Sequence, residues 1–422
     1  MRIKQHHDAT EPALRVRTAD RAALSLLAHC VQSAPPVVDP LVIAEALARD
    51  FAVTAVQRDR DGGTPKRERD ALRASGLLAL IVPARLGGIG ASWATAMRTV
   101  RAIAHADGSV AHVFGFQHLL LATVRLFGTQ TQFDALASAT LEKRLFWGNA
   151  LNPLDTRVTI ERKGGGRRLN GEKSFCSGAR DADALIVSAI DSATGKLVIA
   201  AIPGNRPGVV ARDDWDNMGQ RQTDSGSVVF EDAIVDEAEL LVDPGPLGST
   251  FATLRPLIAQ LTLANVYLGI AEGAFDEARS LTRARPRPWF ASGVERISED
   301  PYVLAAFGDL YAELEAGRST TDAAAARLDD AWAREDDLSP AERGKVAVAV
   351  AAAKVTTTRV GLDVTSRIFE ATGARATATR VGLDRYWRNV RTHTLHDPVD
   401  YKRRDLGRWL LTDAWPVPSF YS

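Results

Sequence analysis

Only two cysteines occur in 422 residues, Cys30 and Cys176, far apart and without a CxxC spacing. That excludes a disulfide framework and a zinc site built on paired thiolates. Charge of one sign is missing too: 52 basic residues meet 52 acidic ones, for a formal net charge of +0. Such a chain has no global field to attract nucleic acid or an anionic membrane, so a small-molecule ligand is expected. Long apolar runs are absent; Leu77 to Val82 falls well short of the roughly 20 residues a membrane span needs, and the N-terminal MRIKQHHDATEP lacks the apolar stretch of a signal peptide. A cytoplasmic enzyme is the expectation. No GxGxxG fingerprint with a following acidic residue is present, so nothing points to bound NAD(P)H, and Gly87, Gly88 and Gly90 have the spacing of a turn.

What is there is an ordinary globular composition, 45% hydrophobic and 25% charged, long enough for two or three domains. After an N-terminal extension over 1–38, Asp39-Pro40 reads as a cap and first-turn proline opening a helix through Phe51, and Thr64-Pro65 as the same device for a helix ending near Gly76. Two more helices are expected over Thr95 to Leu141. From Trp147 the period shortens: Val158 to Arg162 and Arg168 to Phe175 read as strands joined at Gly164-Gly165-Gly166, with Asn170-Gly171 as a second turn of hairpin type. Short strands follow at Ala184 to Ile190, Leu197 to Ile202 and Val228 to Glu231. The helical period returns after Pro246, with an apolar stripe at Leu257, Leu261, Ala264, Leu268, Ala271 and Phe275 and another at Val303, Phe307, Leu310 and Leu314. Ser339-Pro340 with Glu342 forms a capping box ahead of a seam at Val348, Val355, Leu362 and Phe369. The domains expected are therefore 39–146 helical, 147–245 β, and 246–412 a helical bundle that oligomerises, with a tail at 413–422.

That order, with LNGEKSFCSGARDADALIV at Leu169 to Val187 and GQRQTDSGSVVFEDAIV at Gly219 to Val235, resembles the acyl-CoA dehydrogenase superfamily from about residue 40 onward. The resemblance implies an α+β fold: a helical N-terminal domain, a small central β-barrel or sandwich, and a C-terminal four-helix bundle. Within the superfamily, DDWDNMGQRQTDSGS (Asp213 to Ser227) and WRNVRTHTLHDPVDYK (Trp387 to Lys402) resemble the reduced-flavin-dependent monooxygenases typified by dibenzothiophene monooxygenase. Where a dehydrogenase carries a glutamate in a Tyr-Glu-Gly run, this chain reads Thr394-Leu395-His396-Asp397-Pro398.

The resemblance implies a homotetramer using reduced FMN, with FAD as the other candidate, delivered by a separate NAD(P)H-dependent flavin reductase. Oxygen would pass through a flavin peroxide to a small apolar substrate, an organosulfur compound or aromatic heterocycle; an FAD-dependent acyl-CoA dehydrogenase is the alternative. Phe175 and Ser177, two apart on an expected strand, would share a face, Phe175 packing on the flavin ring and Ser177 bonding near N5. Cys176 would face the core. Asn149 is placed on the pyrimidine edge, where a loop asparagine would otherwise be a turn residue, and Trp215 over the ring or substrate, with a buried hydrophobic anchor as the other reading. Arg287 and Arg375, the latter following Gly373, are assigned to the FMN phosphate, Arg375 from a neighbouring subunit. His112, Ser177 and His396 are the candidates for handling the proton of the peroxide, because an imidazole titrates near neutral pH. His393 could share a helical face with His396 beside the flavin. Phe114, Phe116 and Trp215 are expected to line the substrate pocket. Phe116 and Gln117 stand where the desulfurising enzymes have tyrosine and histidine, and Ala150-Leu151-Asn152-Pro153 replaces a serine-rich stretch after Asn149.

Overall fold

The computed structural model describes residues 39–284 and 287–422; the extension expected at 1–38, with Cys30, lies outside them. The first helices are α1 (Pro40–Ala52), α2 (Ala55–Asp61) and α3 (Lys66–Ser75). Pro40 opens α1 as expected, but Thr64 caps nothing. Its hydroxyl donates to Asp224 Oδ1 across the molecule (2.9 Å). Where two helices were expected over Thr95 to Leu141, there are three: α4 (Trp93–Ala106), α5 (Gly108–Phe127) and α6 (Gln130–Lys143). The breaks fall where a polar side chain can cap the next helix, Asp107 accepting from the Ser109 and Val110 N–H groups and Thr129 forming a capping box with Gln132.

The middle segment is one seven-stranded sheet of β1 (Trp147–Ala150), β2 (Thr159–Lys163), β3 (Gly166–Lys173), β4 (Ala184–Asp191), β5 (Leu197–Pro203), β6 (Val209–Ala211) and β7 (Val228–Val235). Its order is β1-β4-β2-β3-β7-β6, with β5 on β4. Strands β1 and β6 have no counterpart in the sequence reading, because four and three residues are too short to show a period. The β2–β3 hairpin turns at Gly164-Gly165, as expected. Asn170-Gly171, however, is no turn. It lies inside β3 at a register shift against β7, with Gly171 at φ 124° and so close to Arg157 that a Cβ would sit 2.2 Å from its carbonyl oxygen.

The rest of the chain is three long helices, α7 (Leu254–Arg283), α8 (Pro301–Trp332) and α9 (Pro340–Thr372). Where a fourth was expected, two short ones follow, α10 (Asp384–His393) and α11 (Val399–Thr412). The α7 stripe from Leu257 to Phe275 is buried throughout, and α9 opens with the expected Ser339–Glu342 box. Along α9 the expected seam residues Val348, Val355, Leu362 and Phe369 are only half-buried; Val346, Val350, Val360 and Val364 face the core. Helices α5 and α7 are long and apolar enough to cross a membrane by length and composition, yet their apolar windows are 94% and 89% buried inside the protein. They pack on each other, with β1 against α5 and α10 against α7 and α9, which brings all three segments to one cavity.

Candidate active site

The cavity encloses about 600 Å³, within the usual range for small-molecule sites, between α5, α7, β1, the turns around Ser177 and Ser225, the α10–α11 turn and the C-terminal tail. Among the described residues, none that lines it carries a carboxylate. The expected tail at 413–422 is folded back rather than free: Arg343 donates to the Pro416 carbonyl (3.3 Å) and the Ser422 carbonyl (2.5 Å), and Lys402 to that of Tyr421. Phe420 and Tyr421 are thereby held in the cavity wall.

One wall is a chain of hydroxyls. Strand β3 ends at Lys173, so Phe175 and Ser177 lie on a turn and not on a strand; Phe175 has φ 60° and is 63% exposed. Backbone bonds from Cys176 N–H to the Gly226 carbonyl and from Gly178 N–H to the Thr223 carbonyl tie this turn to residues 223–226. Behind it the buried Arg69 pairs with Asp224 (3.0 Å). The result is a line of contacts: His112 Nε2 to Ser177 Oγ at 2.9 Å, Ser177 Oγ to Ser225 Oγ at 2.7 Å, and Ser225 Oγ to Thr223 Oγ1 at 2.7 Å. Thr223 then donates to the Gln220 carbonyl (3.0 Å).

A hydroxyl has one hydrogen to give, so only one polarity satisfies every contact. Thr223 commits its hydrogen to the carbonyl, Ser225 donates to Thr223, Ser177 to Ser225, and His112 must donate from Nε2. His112 is thus the neutral Nε2–H tautomer, with burial driving its pKa down to about 3 and its Nδ1 left without a partner. Ser177 retains lone-pair capacity toward the cavity but no free hydrogen. Cys176, buried as expected, has its thiol pKa pushed up to about 12 by burial.

The facing wall is the α10–α11 turn. Helix α10 stops at His393, so His393 and His396 do not share a helical face. His393 is buried edge-on against His112 (centroids 4.4 Å apart), its pKa held well below the ordinary value by burial and then by the neighbouring His112. His396 is more open, and its Nδ1 sits 3.1 Å from Asp397 Oδ1. Asp397 also accepts from Gln260 Nε2 (3.2 Å) and pairs with the buried Lys354 (3.4 Å). Burial lowers the Lys354 pKa to about 8 against the attraction of Asp397. The carboxylate fixes a proton on His396 Nδ1 and leaves Nε2 as the group free to act.

Phe175 and Trp215 meet edge to face (6.1 Å) at the mouth, Trp215 anchored by its indole N–H to the Gln220 carbonyl (2.8 Å). Asn149, on β1, spends its side-chain oxygen on the Leu151 N–H (3.3 Å), which leaves the NH2 as a donor to the cavity. Phe116 lines the cavity as expected. Phe114 does not: it is fully buried on another face of α5 against His118 (4.8 Å). Arg287 and Arg375 are exposed, and neither they nor Gly373 line the cavity of this chain. Sequence reasoning missed Ser225, Thr223, Lys354, Arg255 and the tail. Lys354, directly after the alanine-rich run 347–353 of α9, was a local signal among them.

Models of the acyl-CoA dehydrogenase N-terminal, middle and C-terminal domains match residues 42–141, 148–233 and 261–401. The chain is 56% identical over 383 residues to the probable FMNH2-dependent monooxygenase SfnC of Pseudomonas putida, covering 90% of this chain and 97% of that one. It is 43% identical over 399 residues to dibenzothiophene monooxygenase of Rhodococcus qingshengii, covering 91% and 96%. Among solved structures, methanesulfinate monooxygenase MsuC of Pseudomonas fluorescens superposes with a TM-score of 0.90 at 56% identity over 92% of this chain and all of that one. The complex of TdsC from Paenibacillus sp. A11-2 with FMN and indole gives 0.87 at 44% identity, over 91% and 100%. The chain belongs to the acyl-CoA dehydrogenase superfamily, in its branch of FMNH2-dependent monooxygenases.

Proposed function

We propose that this FMNH2-dependent monooxygenase acts on the sulfur of a small organosulfur compound. The observation that carries the reading is the pairing, across one cavity free of carboxylates, of a hydroxyl chain of fixed polarity with the His396–Asp397 pair. A dehydrogenase needs a carboxylate aimed into this space to take an α-proton, and none of the described residues lining it supplies one.

The residues fit a reduced flavin. Phe175 and Trp215 supply an aromatic wall, Asn149 a donor for a pyrimidine carbonyl, and Ser177 an acceptor that a hydrogen-bearing N5 can meet. When bound, FMNH2 supplies two electrons and two hydrogens, so that one oxygen atom of O2 joins the sulfur and the other leaves as water, with FMN as the second product. His112 and His393, both buried and neutral, keep positive charge off that wall, and His396 Nε2 takes up or returns a proton on the opposite side. Apolar Phe116 and Leu119 keep water from the space between.

A separate NAD(P)H-dependent reductase delivers the reduced flavin, and Arg287 and Arg375 hold its phosphate across a subunit boundary of a homotetramer. The half-buried stripe on α9 suits such packing. The test is oxygenation by the purified protein with a flavin reductase, NADH, FMN and 18O2 over a panel of sulfinates, thioethers, dibenzothiophene and indole. One 18O atom on sulfur is expected; NADH consumption with only hydrogen peroxide released over the whole panel refutes the reading.

A further inference from the structure

Arg255 stands apart in this cavity. It lies in the first turn of α7, is 6% exposed, and lines the space beside Gln260 and Tyr421. Its Nε donates to Thr123 Oγ1 (3.0 Å), and Thr123 has committed its own hydrogen to the Leu119 carbonyl (2.8 Å), so the guanidinium plane is clamped. Its two terminal amino groups make no hydrogen bond, and Arg255 no ion pair, to any described residue. Burial lowers its pKa only to about 10, so the group is a cation at neutral pH. A buried cation without a counter-charge is costly, and the fold carries that cost where a bound anion would relieve it.

We infer that Arg255 is the specificity-determining residue for the substrate, receiving the two oxygens of a small sulfinate, R–SO2−, on its terminal amino groups, with the Tyr421 side chain closing the same corner. The inference rests on the proposed oxygen transfer to sulfur and narrows it. A sulfinate matches the fork of a guanidinium with its paired oxygens, and its sulfur keeps the lone pair that oxygenation uses; a sulfonate has none. The reaction is R–SO2− with O2 and FMNH2 going to R–SO3−, FMN and H2O. Clamping by Thr123 makes Arg255 a rigid receptor.

The same positive charge could serve the phosphate of FMN, and the two sources separate experimentally. Wild type, Arg255→Met and Arg255→Lys are compared for the KM of methanesulfinate and of thioanisole in the reductase-coupled assay, for FMN affinity by fluorescence quenching, and for methanesulfinate binding to the FMN-saturated protein by calorimetry. Arg255→Met is expected to raise the methanesulfinate KM at least about 100-fold and abolish the calorimetric signal, as loss of one partner of a buried charge pair does. Arg255→Lys, which keeps the charge without the fork, raises it about tenfold. The thioanisole KM and FMN affinity stay within about threefold in both. An unchanged methanesulfinate KM, or FMN affinity falling in step with it, overturns the inference. So does a wild type that oxygenates thioethers but neither binds nor oxygenates methanesulfinate, an outcome that leaves the proposed function standing; failure to oxygenate any sulfur compound removes that function and this inference together.

Discussion

Replacing Asp397 with asparagine preserves shape and removes one buried charge, and both consequences can be worked from the structure. Asp397 holds His396 Nδ1 (3.1 Å), Gln260 Nε2 (3.2 Å) and Lys354 Nζ (3.4 Å) on one oxygen. Lys354 in turn donates to the Tyr267 hydroxyl (3.0 Å), which donates to the His393 carbonyl (2.8 Å). With the carboxylate gone, the ammonium loses its counter-charge, and its pKa, already about 8, falls further. At pH 7.5 it then sheds its proton, which caps the lysine's own share of the loss at about 1 kcal/mol, since a pH unit is worth about 1.4 kcal/mol. Hydrogen bonds to a charged acceptor contribute about 1.5–3 kcal/mol. The expected total is therefore about 2–4 kcal/mol. The sign of the pH dependence is diagnostic. A lysine with a depressed folded pKa binds its proton more weakly folded than unfolded, so stability rises with pH between the folded pKa and about 10.4. In the wild type that rise begins near pH 8; in Asp397→Asn it begins below pH 7.5. Urea unfolding from pH 6.5 to 10 reads both. Coupled turnover should fall at least about 100-fold, because nothing fixes the His396 tautomer. An unmoved onset of the rise refutes the charge pairing, and turnover within threefold of wild type refutes the role of His396–Asp397.

Acid should destabilise the protein well above the carboxylate range. His112, His118 and His393 are buried with pKa values held far below normal, so the unfolded chain takes protons below about pH 6.5 that the folded one refuses. Each costs about 1.4 kcal/mol at pH 5.5, together about 4 kcal/mol. The urea midpoint should drop accordingly from pH 7.5 to 5.5, with His118→Phe recovering about a third; an unchanged midpoint contradicts it. Ser225→Ala cuts the hydroxyl chain and frees the Ser177 hydrogen, so peroxide release per NADH should rise about tenfold or more while FMN still binds. Equal coupling in the variant and the wild type would show that the polarity of the chain is idle. Gly219→Ala would place a Cβ 2.1 Å from the Arg388 carbonyl, forcing the Trp215 segment off α10. A thermal midpoint lower by several degrees is expected, and an unshifted one counts against that contact.

Much of this protein was legible along the chain, because the signals concerned are local. A proline or capping side chain sets a helix start within a few residues, which is why Pro40 and the Ser339–Glu342 box stand where expected. The 3.6-residue period of α7 likewise marks its buried face without knowledge of what it meets. Family-like motifs led to Asn149, Ser177, His112 and His396, all of which line one cavity. Local rules misled where tertiary ties override them: Asn170-Gly171 bulges because Arg157 crosses it, and Phe175 leaves the strand because its turn is bound to residues 223–226.

The chemistry of the site lies in pairs that no period connects. Ser177 and Ser225 are 48 residues apart, Lys354 and Asp397 43, Arg255 and Thr123 132. Periodicity tells which way a side chain points, not which distant group it will meet, nor which charges the fold will withhold from it. In the sequence Arg255 is one arginine among many at the start of a helix. Burial beside neutral walls, with its fork open to the cavity, is a property of packing alone.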